Sequence, residues 1–346
     1  MHLSGLEHCL TGSEVRPGLH GTANEPHVPA TEPHVRSIAM ASIKLSGKTI
    51  VITGATGQVA EPVAIALAAD NEVVAGARFR DAVARARLEA AGVRCVPIDL
   101  LTGDVGGLPA DADYVVNFAV AKSNEWEKDL RANSGGLAYL MEHHQAATAF
   151  LHCSTTGIYR PMGHHVFAEG DPLGDNHGVW PFLRTYSICK IATEATALWA
   201  ADRFGLPTTI ARLSVPYGDG GGWPAIHLEM MINGGDIPVH IDAPSVYHPI
   251  HEDDILAMVP GLLAVAATPA TVVNWGGSQS ASIEEWCGYL GELTGLTPSF
   301  APTSETIDSV KIDLTRMHEL VGPTTVGWKE GMARMVASRH PELLKG

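Results

Sequence analysis

A chain of 346 residues, 45% hydrophobic and 18% charged, is long enough for one large domain or two moderate ones around a sizeable core. Its formal net charge of −15 argues against non-specific nucleic-acid binding, and no apolar run approaches the ~18 residues needed to span a bilayer. Five scattered cysteines without a CxxC pair argue against metal and disulfide frameworks and suit a reducing cytoplasm.

Residues 1–39 carry Pro, Gly, His and Thr with no sustained apolar period, and are expected to be a disordered or upstream-start extension ahead of Met40. From Lys48 the pattern alternates. "TIVITGA" is a β-rich run ending in glycine, "QVAEPVAIALAAD" has helical spacing, and "EVVAGAR" is a second strand. "DAVARARLEAAG" is helical, and "VRCVPIDL" and "ADYVVNFAV" are the third and fourth strands. "LRANSGGLAYLMEHHQ" reads as helix and "TAFLHCS" as a fifth strand. "SICKIATEATALWAADRFG" is a long helix closing on Gly205, and "PTTIARLS" is a sixth strand. Repeated strand–helix alternation with two-faced strands predicts an α/β fold with a doubly wound parallel Rossmann sheet over residues 40–215. After residue 216 the alternation loosens. Residues 216–245 and 278–346 are expected to form a smaller C-terminal substrate-binding lobe, with 246–277 returning to complete the first domain.

"VITGATGQVA" sets Gly54 and Gly57 at the turn from first strand to first helix, where a backbone without Cβ can approach a pyrophosphate. The end of the second strand would carry an acid for the adenosine ribose of NAD; Ala77 stands there, followed by Arg78 and Arg80. An arginine at this place pairs with a 2′-phosphate, so NADP is preferred over NAD.

Tyr186 and Lys190 lie four apart at the start of the long helix and so share one face. An unperturbed tyrosine, with a pKa of about 10, is a poor base. A nearby ammonium and an oxidised nicotinamide would lower that value, making Tyr186 an acid/base. The fifth strand ends in Ser154, Thr155 and Thr156, hydroxyls able to hold a substrate oxygen. No helix-spaced HxxxH or HExxH joins the histidines at 164, 165, 177, 248 and 251, and no metal is expected.

These motifs together resemble the extended short-chain dehydrogenase/reductase family, also called the NAD(P)-dependent epimerase/dehydratase family, from about Lys48 to beyond Trp328. "TGATGQVA" is similar to its TGxxGxxG turn, which implies cofactor contacts from Gly54, Thr56, Gly57, Gln58 and Val59. "IDL" resembles the adenine-contact segment (Asp99, Leu100), and "NFAV" the wall beside the cofactor (Phe118, Ala119). "NSGGLAYL" matches a helix start led by Asn133, and "RLSVPYG" the nicotinamide-side stretch (Leu213, Val215). "YSICK" resembles the catalytic Tyr-x-x-x-Lys, with Lys190 also on the nicotinamide ribose. In "STTGIY" the family's hydroxyl lies four residues before its tyrosine, which selects Thr155, with Ser154 second.

Two departures bear on substrate. Nucleotide-sugar members place an arginine where this chain has Tyr247, and an asparagine where it has Val215. Without that arginine a diphosphate loses its strongest charge-assisted contact, so an uncharged or weakly charged small molecule is expected. Thr156 and Gly157 stand where dehydratase members carry an Asp-Glu pair, which disfavours sugar dehydration. Met162, Trp180 and Phe182 supply a pocket loop with Trp223 opposite, and the resemblance places Tyr247 on the substrate side. The expected activity is interconversion of a secondary alcohol and a carbonyl. Transient oxidation on a tightly bound cofactor (epimerase or isomerase chemistry) and a non-catalytic NADP sensor are the alternatives. The resemblance also implies a homodimer through the helices near Asn133 and Tyr186.

Overall fold

The computed structural model describes residues 44–344, so the expected extension over residues 1–39 lies outside the described residues. Seven strands form one sheet: β1 (Thr49–Thr53), β2 (Glu72–Ala77), β3 (Arg94–Pro97), β4 (Tyr114–Asn117), β5 (Ala149–Thr155), β6 (Thr208–Leu213) and β7 (Thr271–Trp275). Their order is β3-β2-β1-β4-β5-β6-β7, and every pairing is parallel. The reason is visible in β1, whose Ile50, Val51 and Ile52 are all wholly buried. Ile50 and Ile52 enter one hydrophobic cluster and Val51 the other, so both faces are covered. A sheet buried on both sides needs helical crossovers, and the strand order reverses between β1 and β4. That switch point opens a crevice at the C-terminal strand ends.

The crossovers are α1 (Ala60–Leu67), α2 (Ala82–Ala90), α3 (Trp126–Leu130), α4 (Gly136–His143) and α5 (Tyr186–Phe204). A π-turn over Arg131–Gly135 joins α3 to α4. Asp81 caps α2 by accepting from the Val83 and Ala84 amides, and α5 ends at Gly205 in the left-handed region. Later helices are α6 (Trp223–Ile232), α7 (Glu252–Ala264), α8 (Ile283–Thr294), α9 (Thr315–Val321) and α10 (Trp328–Arg339). Short strands accompany them, such as Asp236–His240 beside Ser299–Thr303 and Val246–Tyr247 beside Ala281–Ser282.

A buried ion pair fastens the sheet to α5: Arg212 meets Glu194 at 2.8 Å, with side chains only 6% and 4% exposed. Arg212 also donates to the Glu169 carbonyl and the Tyr159 hydroxyl, and Tyr159 donates to Asn274 at 2.6 Å. Each guanidinium nitrogen therefore has an acceptor within the protein, as a buried charge requires.

Candidate active site

The switch point begins with Gly54, in the left-handed region at φ 71°. A Cβ there would lie 2.7 Å from the Ala119 N and Cα, so glycine lets β1 and the loop after β4 meet. Gly57 closes the turn by donating to the Gly54 carbonyl at 2.9 Å, and Thr56 is half-buried beside it. Val59 occupies the α1 N-cap without a side-chain cap, which leaves early helix N–H groups for an anion. The Gln58 amide donates to the Pro216 carbonyl at 3.3 Å, bridging the turn to the segment after β6. In that segment Leu213 and Val215 are buried.

Beyond β2, Arg78 and Arg80 are exposed on either side of Phe79, which has φ 47°. Their neighbours Arg85 and Arg87 are engaged with Glu89 and Glu61. Asp99 accepts from the Leu101 amide at 3.0 Å, and Leu100 packs where a Cβ on Gly136 would stand. Asn133 makes its contacts internally: its carbonyl accepts from Ala121 N at 2.8 Å, and its amide donates to the Ala121 and Asp129 carbonyls. It orders the Phe118–Ala121 loop.

Tyr186 opens α5 and is half-buried. Burial pushes its phenol up to about 12, reinforced by Cys153 and opposed by a hydrogen bond with the Thr155 side chain. Lys190, one turn on, is 4% exposed and donates to the Cys153 carbonyl at 2.7 Å. Burial lowers its pKa, while Cys153 and Glu194 work the other way. The expected lowering of the Tyr186 pKa calls on an oxidised nicotinamide as well as on Lys190. In the protein alone desolvation of the phenolate dominates, and the ammonium is directed at a carbonyl. Thr155 accepts from the Gly157 amide at 3.2 Å, whereas Ser154 is 2% exposed and its hydroxyl has no partner. Thr156 is buried in the short turn over Thr156–Ile158.

Beneath Lys190 runs a polar chain that sequence reading missed. Thr53 donates to Asn117 at 2.6 Å, the Asn117 amide donates to His152 Nδ1 at 3.0 Å, and His152 Nε2 meets Thr193 at 3.1 Å. Thr193 in turn donates to the Lys190 carbonyl at 2.8 Å. Because an amide nitrogen only donates, Nε2 must carry the His152 proton. Burial and the Lys190 charge hold that ring well below its ordinary pKa, hence neutral.

His177 is a second neighbour of the site that no spacing in the sequence singles out. Its ring stands edge-on to Tyr186, with centroids 4.9 Å apart, and Nδ1 meets the Ser187 hydroxyl at 2.8 Å. Burial lowers its pKa to about 4. The rings continue through Trp180 (6.0 Å from His177) to Trp223 (6.2 Å from Trp180). Trp180 and Trp223 are thus brought together. Phe182 is 74% exposed beside Trp180, and Met162 is also at the surface. Tyr247 requires a correction: it is buried under Trp223, and its hydroxyl is shared between the Ile307 and Asp308 carbonyls. It supports the wall without offering a polar group to a ligand.

A cavity of about 550 Å³ lies elsewhere, between His164, Val246, Ser282, Glu284, Ser309 and Lys311. Glu284 and Ser309 are already bonded to the backbone of Ser245, Val246 and Pro244, so it is not read as the reaction site. Among the described residues no group of three or more His, Cys, Asp or Glu could hold a metal. No helix there is long and apolar enough to cross a membrane.

Residues 50–235 match the model of the NAD dependent epimerase/dehydratase family. Among solved structures, UDP-glucuronic acid 4-epimerase from Bacillus cereus, in complex with UDP-glucuronic acid and NAD, superposes with a TM-score of 0.72 at 18% identity; the match covers 85% of this chain and 99% of that one. MoeE5 in complex with UDP-glucose and NAD gives 0.70 at 21%, covering 85% and 99%. DesIV, a dTDP-glucose 4,6-dehydratase from Streptomyces venezuelae with NAD and TYD bound, gives 0.71 at 20%, covering 85% and 97%. At such identities the likeness establishes a shared fold. No curated protein sequence matches the chain.

Proposed function

The chain belongs to the NAD dependent epimerase/dehydratase family, and from that premise we propose that it is an NAD(P)-dependent oxidoreductase interconverting a secondary alcohol and a carbonyl. The observation that carries this reading is the convergence of Tyr186, Thr155 and Lys190 at the end of β5. The Gly54–Val59 turn and the α1 N-terminus would receive the pyrophosphate. Arg78 and Arg80 would meet a 2′-phosphate, and Lys190 the nicotinamide ribose. Asp99, Leu100, Phe118, Ala119, Leu213 and Val215 would line the remaining path of the dinucleotide, with Asn133 holding its loop. The cofactor supplies the hydride donor or acceptor.

The chain's own residues handle the proton. Tyr186, whose phenol keeps its proton at neutral pH, gives it to the carbonyl oxygen in the reductive direction, while Thr155 orients that oxygen, with Ser154 beneath. In the oxidative direction the tyrosine must lose that proton first, which adds to its cost. The positive charge of Lys190 favours the phenolate that results.

The same cleft supports an uncharged, non-nucleotide substrate. His177 and His227, with pKa values near 4 and 3 through burial, are neutral near pH 7 and flank Trp180 and Trp223. Such a wall offers apolar area but no charge to a diphosphate. Exposed Tyr139 on α4 and Leu198 and Trp199 on α5 support a homodimer through these helices. The four described cysteines are unpaired, in keeping with a cytoplasmic setting.

The test is Tyr186→Phe. Fluorescence titration should show NADPH affinity unchanged, while turnover across a panel of secondary alcohols and ketones falls by ~10²-fold or more. Retained turnover rejects the mechanism. The solved relatives hold NAD beside nucleotide sugars, which favours one second reading, transient oxidation within an epimerase cycle. Cofactor that copurifies and is not consumed would decide for it.

A further inference from the structure

Asp129 in α3 is wholly buried, yet its carboxylate is held by hydrogen bonds and not by a cation. Oδ1 accepts from the Ser123 amide at 2.9 Å and the Ser123 hydroxyl at 2.7 Å. Oδ2 accepts from the Asn124 amide at 2.9 Å and the Thr185 hydroxyl at 2.7 Å. Thr185 occupies the N-cap of α5, where a hydroxyl ordinarily accepts from its own helix. Here it makes no such bond and reaches Asp129. A second clasp runs alongside: Asn124, in the left-handed region at φ 62°, donates to the Pro181 and Phe182 carbonyls at 3.4 and 3.0 Å. Asn133, one turn beyond Asp129, holds Ala121. The loop leaving β4 and the segment ending at Tyr186 are therefore tied together at two points.

We infer that Asp129 is a positioning residue for Tyr186: its carboxylate sets the start of α5 against the loop leaving β4, and so fixes where the phenol stands. The inference rests on the proton-transfer reading of Tyr186. A carboxylate suits the task because it only accepts, and its two oxygens can serve several donors at once. Burial by itself raises its pKa, and the bonds from Ser123, Thr185 and Asn124 together bring it below the ordinary value. Removing one donor leaves a buried charge undersupplied, so a change at Thr185 propagates to Ser123 and Asn124 through the carboxylate they share.

Thr185→Val removes the hydroxyl while keeping the shape, and Thr185→Ser restores it. In the full-length protein without cofactor, amide hydrogen exchange at Ser123 and Asn124 should accelerate at least tenfold in Thr185→Val. It should return to the wild-type rate in Thr185→Ser, with β1 and β4 unaffected. With NADP⁺ present, the ¹³Cζ signal of Tyr186, assigned through Tyr186→Phe, should titrate about one pH unit away from wild type in Thr185→Val and return in Thr185→Ser. A Thr185→Val protein with wild-type exchange at Ser123 and Asn124, or with an unmoved Tyr186 midpoint, overturns the inference. If the wild-type Tyr186 signal ignores NADP⁺ altogether, the proton-transfer reading fails and the positioning claim falls with it; the exchange rates then still report whether the tie exists.

Discussion

Replacing Gly54 by alanine tests the corner where β1 hands over to α1. Two costs arise there from separate causes. The backbone sits at φ 71°, where a side chain costs about 1–2 kcal/mol. The added methyl would lie 2.7 Å from the Ala119 N and Cα and 3.0 Å from the Phe118 carbonyl carbon, all backbone atoms that cannot rotate aside. Nor can that loop step back freely, because Asn117 accepts from the Ala119 amide and Asn133 clamps Ala121. Overpacking of this kind costs a further 1–3 kcal/mol or so, giving about 2–5 kcal/mol in all. Gly57→Ala is the control: its Cβ would meet only the Gly54 carbonyl oxygen at 3.1 Å, outside the left-handed region. Its cost should stay near 1 kcal/mol, at roughly the lower end of overpacking. Urea unfolding followed by circular dichroism, without cofactor, measures both. A Gly54→Ala loss below about 0.5 kcal/mol, the range of ordinary surface changes, would refute the reasoning. Equal losses for the two variants would refute it as well.

Acid should destabilise the protein through His177. Its folded pKa of about 4 lies below an unfolded value near 6.5, so between them the unfolded chain binds the extra proton, and stability present above 6.5 is lost as pH falls towards 4. From pH 7 to pH 5 that amounts to about 2 kcal/mol from this one ring. Urea titrations at the two pH values should show the slope reduced by that amount in His177→Gln, and an unchanged slope would contradict it. At the other end of the cleft, the double change Arg78→Ala, Arg80→Ala should weaken NADP⁺ binding at least tenfold, since each charge-assisted bond contributes about 1.5 kcal/mol or more. NAD⁺ affinity should hold within about twofold. Equal losses for both dinucleotides in fluorescence titrations would remove the 2′-phosphate assignment.

Much of this architecture is legible in residue patterns. The strand β1 reads as β-branched residues with no polar face, and its burial on both sides follows from that. Tyr186 and Lys190 are found from spacing four on a helix, and the helix begins at Tyr186 itself. Asp129 is a different matter. "WEKDLRAN" looks like a solvated helical face, and nothing local says that donors from Ser123, Asn124 and Thr185 converge on one carboxylate. His177 lies in a loop without period, and its place beside Tyr186 is set by Gly157, whose missing Cβ makes room for the ring. Tyr247 misled for a related reason. Sequence position identifies a place on the chain, while the direction of its hydroxyl depends on the Ile307–Asp308 segment sixty residues on.

The edge strand β7 has a consequence for biosynthesis. Arg212, Glu194 and Tyr159 all leave the ribosome before Asn274, the residue that receives the Tyr159 hydroxyl. A six-stranded platform formed in that interval would present the unpaired rim of β6, the kind of surface that recruits stray strands. Translation pausing after β6 has emerged and before β7 has emerged would lengthen this exposure.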